Sequence, residues 1–104
     1  IKVLVKELEL LKNYENFIFV FGALRDKNIK EMIKQINKIP SEIILTRPNS
    51  KRAIEPIKIL KIIKNNNVNI INDTKNALKY AKKISKRNDL VVVCGSIYLV
   101  GEII

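Results

Sequence analysis

The sequence contains no histidine and a single cysteine, Cys94, among its 104 residues. Without histidine the chain has no Ser-His-Asp or Cys-His catalytic arrangement, and one cysteine without histidine excludes the usual zinc sites. A lone cysteine cannot form an internal disulfide and suits a reducing compartment, so we expect a cytoplasmic protein. Neither G-x-x-x-x-G-K-[ST] nor G-x-G-x-x-G occurs, so no self-sufficient nucleotide-binding loop is present.

Long apolar runs are also missing. No run approaches the roughly 20 residues that cross a bilayer, and residues 1–6 lack the apolar core and cleavage site of a signal peptide. We therefore expect no membrane partner. The first residue is Ile rather than Met, and the sequence opens inside a helical pattern, which predicts a fragment of a longer protein. Its length and its 47% hydrophobic content fit one compact domain.

Negative charge is scarce, and the formal net charge is +10. Only four of the 20 basic residues are Arg, and the Lys residues fall on the polar sides of several predicted helices. Basic proteins that bind nucleic acid usually concentrate their charge and interleave Arg with aromatic residues. We therefore interpret the charge as a solvated surface and expect no nucleic-acid partner. A small basic α/β RNA-binding protein remains the alternative, and it predicts polynucleotide binding that weakens steeply with salt.

Short apolar runs alternate with segments of helical spacing. The unbroken apolar runs predict buried strands at 17–21, 43–45, 68–71 and 90–94. Apolar residues that recur every three or four positions predict helices over 1–12, 29–36, 56–65 and from Asp73 to Ile84. Pro56 suits a first helical turn, and Asp73 offers a side-chain cap. Residues 96–104 are expected to form a short helix or an irregular end.

This alternation predicts the fold class α/β. Helix-length connections between strands require parallel pairing, and continuously apolar strands are typical of sheets with helices on both faces. Such crossovers are overwhelmingly right-handed, which restricts the arrangement. We therefore expect a Rossmann-like three-layer sandwich with a mostly parallel sheet.

Open parallel sheets bind ligands at the carboxyl ends of their strands. Four segments meet there in the predicted fold: 22–26, 46–52, 72–74 and 95–98. Three of the four arginines, Arg25, Arg47 and Arg52, lie in these segments. The planar guanidinium binds carboxylate or phosphate with two parallel hydrogen bonds, which Lys cannot reproduce. We therefore expect an anion site at this edge of the sheet.

A structural interpretation of the same residues stands beside the functional one. Arg25 can pair with Asp26 or a neighbouring helix, and surface arginines are often merely solvated. Asp26 and Asp73 suit helix caps, and Ser50 suits a turn. Gly22 and Gly95 fit sharp turns after strands.

Three segments resemble one enzyme family. They follow the family's order and spacing and together span nearly the whole chain. F-G-A-L-R-D-K-N-I at 21–29, T-R-P-N-S-K-R-A at 46–53 and C-G-S-I-Y-L-V-G-E at 94–102 are similar to segments of folylpolyglutamate and dihydrofolate synthases, which are related to the Mur ligases. The resemblance identifies residues 1–104 as a Mur-ligase-like C-terminal α/β domain.

The resemblance implies an ATP-dependent amide ligase. ATP phosphorylates a folate or pteroate carboxylate, and the amino group of L-glutamate attacks the acyl phosphate while Mg²⁺ neutralises the phosphates. ATP and Mg²⁺ would be bound mainly by an N-terminal ATPase domain, which is the expected partner. Ser96 is the best candidate for holding glutamate, with Gly95 beside it. Arg47, Ser50 and Arg52 would form an adjoining wall or an interdomain contact, and Arg25 and Asp26 are the candidates for contact with the nucleotide.

The chain departs from the family at one place. The family's D-G-A-H-N segment, on a strand before the first helix, has no counterpart here. An Asp and a His that the resemblance places near ATP and glutamate are therefore absent. We expect residues 1–104 alone to form no amide.

Overall fold

A computed structural model describes residues 16–25, 28–38, 41–63, 67–95 and 99. Within them the apolar runs form four strands, which are β1 (Asn16–Phe21), β2 (Ser41–Leu45), β3 (Val68–Ile70) and β4 (Asp89–Cys94). Three helices connect them in chain order, α1 (Ile29–Ile36), α2 (Pro56–Leu60) and α3 (Thr74–Ile84). The predicted helix over 1–12 lies outside the described residues, as does the segment 96–104 apart from the buried Leu99.

The four strands form one sheet with the order β3-β2-β1-β4. Every pairing is parallel: β1 pairs with both β2 and β4, and β2 pairs with β3. The predicted α/β fold with parallel pairing is therefore confirmed. β1 lies inside the sheet and β4 pairs with it, so the first and last of the four strands in sequence are neighbours in space.

Both faces of the sheet are covered, as the unbroken apolar runs predicted. Successive side chains of a strand point to opposite faces, so the aromatic residues of β1 join one cluster and its aliphatic residues join the other. The first cluster packs against α1 and α2 and includes Phe17, Phe19, Phe21, Ile33, Ile36 and Ile59. The second packs against α3 and includes Ile18, Val20, Ile44, Ala77 and Ala81. These are the three predicted layers.

The helices begin at residues that the sequence marks. The side chain of Asp73 accepts a hydrogen bond from the N–H of Asn76 at 2.9 Å and caps α3. Asn28 caps α1 more weakly, through the N–H of Glu31 at 3.3 Å. Pro56 occupies the first turn of α2, where its missing N–H costs nothing.

The prediction of a helix over 56–65 is wrong in its length, since α2 ends at Leu60. Ile62 and Ile63 continue the chain as tighter turns, donating to the carbonyls of Ile59 and Leu60 three residues earlier. Both side chains pack against the first cluster. Apolar spacing is nearly the same in tight turns as in a helix, so the pattern alone could not locate the helix end. No helix among the described residues is long and apolar enough to cross a membrane.

Candidate functional site

The four strands end level with one another. Phe21 is aligned with Leu45 on one side and Cys94 on the other, and Leu45 is aligned with Ile70. Because all four strands run in the same direction, the segments that follow them meet along one edge, which we call the carboxyl edge. This is the edge at which open parallel sheets bind ligands.

Two glycines let the ends of β1 and β4 approach closely. Gly95 has φ +112°, a conformation that L side chains rarely adopt, and a Cβ there would overlap the carbonyl oxygen of Gly22. A Cβ on Gly22 would in turn lie 2.8 Å from the carbonyl oxygen of Thr46 and 2.9 Å from Cδ of Pro48. The Gly95 turn, Gly22 and the start of the 46–52 loop are thus packed in a row across the carboxyl edge.

The loops after β1 and β2 are joined by backbone hydrogen bonds. Leu24 and Ala53 form an antiparallel bridge, and the N–H of Arg25 donates to the carbonyl of Arg52 at 2.8 Å. The guanidinium of Arg25 also donates to the carbonyl of Lys51 at 3.3 Å. Arg25 and Arg52 therefore lie at the same part of the carboxyl edge, and Arg25 helps to fix the loop that carries Arg52.

Ser50 has a structural role in this loop. Its hydroxyl accepts the N–H of Arg52 at 3.2 Å, and its carbonyl accepts the N–H of Ala53 at 3.1 Å. These bonds form the turn that presents Arg52. The direct substrate contact predicted for Ser50 stays a prediction.

Arg47 has other partners than Arg52, although both belong to the same loop. Its Nε donates to Oε1 of Glu55 at 2.9 Å, in a pair that is partly open to solvent. Its N–H donates to the carbonyl of Asn72, which also accepts the buried hydroxyl of Thr46 at 3.1 Å. These bonds hold Arg47 at the ends of β2 and β3.

A groove of about 620 Å³ opens beside Arg47, which we call the α3 groove. It is lined by Arg47, Asn49, Asn72, Asp73, Thr74 and Lys75. The predicted anion site is thus divided, with Arg25 and Arg52 in one part and Arg47 in another. The sequence placed Thr74 in segment 72–74 at this edge without giving it a role, and Lys75 was not predicted. The signal was present, because an N-cap at Asp73 directly after a strand places both residues in the first helical turn at the carboxyl edge.

Two predicted site residues, Asp26 and Ser96, lie outside the described residues. The described ranges contain no group of three or more His, Cys, Asp or Glu side chains that could hold a metal ion. Burial raises the pKa of the Cys94 thiol to about 12, so this side chain stays protonated at neutral pH. Cys94 is therefore a small buried apolar residue rather than a nucleophile.

Comparison with known proteins gives a family match over almost the whole chain. The family described as "Mur ligase, glutamate ligase domain" matches residues 1–97. A curated relative from Clostridium acetobutylicum, UDP-N-acetylmuramoyl-L-alanyl-D-glutamate–2,6-diaminopimelate ligase 1, is 30% identical over 98 residues, covering 90% of this chain. The chain spans only 20% of the length of that relative.

Solved structures share the fold. Escherichia coli FolC in complex with ADP superposes with a TM-score of 0.90 at 20% identity, over 98% of this chain and 24% of that one. Folylpolyglutamate synthase from Thermotoga maritima gives a TM-score of 0.77 at 29% identity, over 98% and 23%. The bifunctional folylpolyglutamate synthase/dihydrofolate synthase from Yersinia pestis, complexed with AMPPNP and a Mn ion, gives 0.86 at 20%, over 98% and 24%.

Proposed function

The chain belongs to the Mur ligase, glutamate ligase domain family, and on this premise we propose that it is part of an ATP-dependent ligase joining L-glutamate to a folate or pteroate carboxylate. The family and the likeness to folylpolyglutamate synthases agree with the resemblance of segments 21–29, 46–53 and 94–102. The observation that supports the proposal most is the close packing of the Gly95 turn, Gly22 and the 46–52 loop, with Arg52 presented beside them.

The reaction forms one amide bond at the cost of one phosphoanhydride bond. A carboxylate oxygen of the acid attacks the γ-phosphorus of ATP, which gives an acyl phosphate and ADP. The amino group of glutamate then attacks the acyl carbon, inorganic phosphate leaves with the electron pair of the broken C–O bond, and the nitrogen loses a proton. Productive attack requires the amino acid to be held with its amine facing the acyl carbon.

The carboxyl edge is suited to that task. The guanidinium of Arg52 offers paired donors to a carboxylate, and Arg25 and Ser50 fix the loop that carries it. The positive φ of Gly95 turns the chain sharply after β4. We propose that the next residue, Ser96, donates a hydrogen bond from its hydroxyl to the amino acid. In this account the chain binds and orients the amino acid and supplies no nucleophile.

ATP and Mg²⁺ do not fit the described residues. These residues contain no potential metal cluster and no phosphate-binding glycine loop, so we propose that another domain of the same protein holds both. The nucleotide contacts proposed for Arg25 and Asp26 would be made across the interface with that domain. Because the chain spans a fifth to a quarter of its relatives, the activity of the whole protein is part of this proposal.

A second amino acid remains a candidate. The curated relative with 30% identity is named as a diaminopimelate ligase, so 2,6-diaminopimelate could replace glutamate with the same chemistry. The family match gives no support to the RNA-binding alternative. Both amino acids carry a carboxylate that Arg52 can bind.

A substrate panel with the intact protein tests the proposal. ADP release would be measured with dihydropteroate or a folate as acceptor, adding L-glutamate or 2,6-diaminopimelate in turn, with UDP-N-acetylmuramoyl-L-alanyl-D-glutamate as the second acceptor. We expect ADP and amide to form in equal amounts with glutamate and a pterin acceptor. Turnover only with diaminopimelate and the muramoyl acceptor would replace the first candidate by the second. No amino-acid-dependent turnover with any pair would contradict both.

A further inference from the structure

The α3 groove is separate from the proposed amino-acid site and has chemistry of its own. It lies between the end of β2 and the first turn of α3, whereas Arg52 and Arg25 are tied together on the other part of the carboxyl edge. We propose that the α3 groove is a second anion site, which binds a carboxylate or phosphate group between Arg47, Thr74 and Lys75.

Thr74 provides the observation that points to a ligand. It is 8% exposed, and its hydroxyl forms no hydrogen bond within the described residues. Among those residues, no fully buried side-chain oxygen or nitrogen lacks a partner. The hydroxyl must therefore reach solvent, and the open space beside Thr74 is the groove that it lines. A nearly buried hydroxyl with no protein partner is suited to bind a group that enters this groove.

The first turn of α3 adds backbone donors to the hydroxyl. Asp73 uses its carboxylate for the N–H of Asn76 and its carbonyl for the N–H of Ala77. The N–H groups of Thr74 and Lys75 precede these and have no acceptor in the helix. Because α3 is an eleven-residue helix, its amino end also carries a partial positive charge. A bound oxyanion would meet both N–H groups and the Thr74 hydroxyl together.

Two cations and one anion line the groove. Lys75 is exposed and forms no ion pair within the described residues. Arg47 is paired with Glu55, but both side chains are partly open to solvent, and such surface pairs exchange partners at little cost. Asp73 opposes a bound anion, although its carboxylate faces the N–H of Asn76. The net positive charge of these three side chains favours an anion. We therefore expect that neutralising Asp73 strengthens anion binding.

Binding can be followed at Thr74 in the intact protein, without ATP or acceptor, so the result does not depend on the proposed ligase reaction. The protein would be labelled with ¹⁵N-threonine, and the Thr74 signal would be identified as the one lost in Thr74→Ser. Inorganic phosphate and glutarate would be titrated separately at low salt. The anion that binds more tightly shows whether the groove prefers a phosphate or a carboxylate group.

We expect a saturable shift of the Thr74 signal with at least one of the two anions. Lys75→Gln should weaken binding about tenfold, as expected for a lost charged hydrogen bond. Lys79→Gln, one turn further along α3 and outside the groove, should leave it unchanged. Asp73→Asn keeps a capping side chain and should tighten binding. The proposal is overturned if neither anion shifts the Thr74 signal, or if Lys75→Gln and Lys79→Gln have the same effect.

Discussion

Gly95 has the most constrained backbone among the described residues of the carboxyl edge. Its positive φ and its contact with the carbonyl of Gly22 are separate constraints. Gly22 has only the close contact, since its backbone does not adopt a positive φ. The two glycines therefore differ in the reason for which a side chain is excluded, and substitution can distinguish them.

We expect Gly95→Ala to lower the free energy of unfolding by roughly 1–3 kcal/mol, the usual cost of a disfavoured backbone conformation, with the overlap on Gly22 in addition. Gly22→Ala should cost less, because the φ of Gly22 is not positive and its Cβ would lie 2.8 Å from the carbonyl oxygen of Thr46, a smaller overlap than the one at Gly95. The urea midpoints of the intact protein and both variants measure the difference. A Gly95→Ala protein as stable as the parent would show that the turn is not held as described.

Cys94 gives a pH dependence with a defined sign. Its pKa is raised by burial from 9.0 to about 12, so the folded protein holds the thiol proton more tightly than the unfolded chain. The stability that this contributes is complete below pH 9 and is lost as the pH rises from about 9 toward 12. Unfolding of the parent and of Cys94→Ala should therefore be compared between pH 7 and 11. We expect the advantage of the parent to shrink above pH 9, and a constant difference would contradict the assignment.

At the scale of elements, the strands and the start of α3 follow from the sequence, whereas the direction of loop side chains does not. Unbroken apolar runs mark β1 and β4, and Asp73 marks the helix start. The backbone of Arg47 is held beside the end of β3 because the carbonyl of Asn72, distant in sequence, accepts its N–H, while its side chain donates to Glu55. The residues that flank Arg47 in the sequence do not predict these partners. The grouping of Arg47 with Arg52 could therefore not be corrected from sequence alone.

The packing of α3 rests on small side chains. Ala77 and Ala81 are fully buried against Ile18, Val20 and Ile44, so the helix lies close to the sheet with no room for a larger residue.

We expect Ala81→Leu to destabilise this layer by about 1–3 kcal/mol through overpacking. Hydrogen exchange of β1 amides in the intact protein should then quicken by about tenfold or more. The exposed Lys82→Leu is the matched control and should change exchange little. Equal exchange in the two variants would mean that α3 does not pack on β1 through Ala81.

At the scale of the whole molecule, the strand order brings the site together. With β4 beside the central β1, the Gly95 turn reaches Gly22, and Gly22 reaches the loop after β2. The sequence predicted a common edge but not this order, because apolar runs do not specify their neighbours.

The absence of ligase activity in residues 1–104 alone stays a prediction. It rests on the missing counterpart of the family's D-G-A-H-N segment, whose Asp and His the resemblance places near ATP and glutamate.

In the proposed function, the Arg52 part of the carboxyl edge holds the carboxylate of the incoming amino acid. Arg52→Lys in the intact protein tests it most directly, because it keeps the charge and removes the paired donors. Arg87→Lys, in the turn before β4 at the opposite edge, is the matched control. We predict that Arg52→Lys raises KM for the amino acid about tenfold or more while KM for ATP stays unchanged. Equal amino-acid KM values in the two variants would contradict the claim.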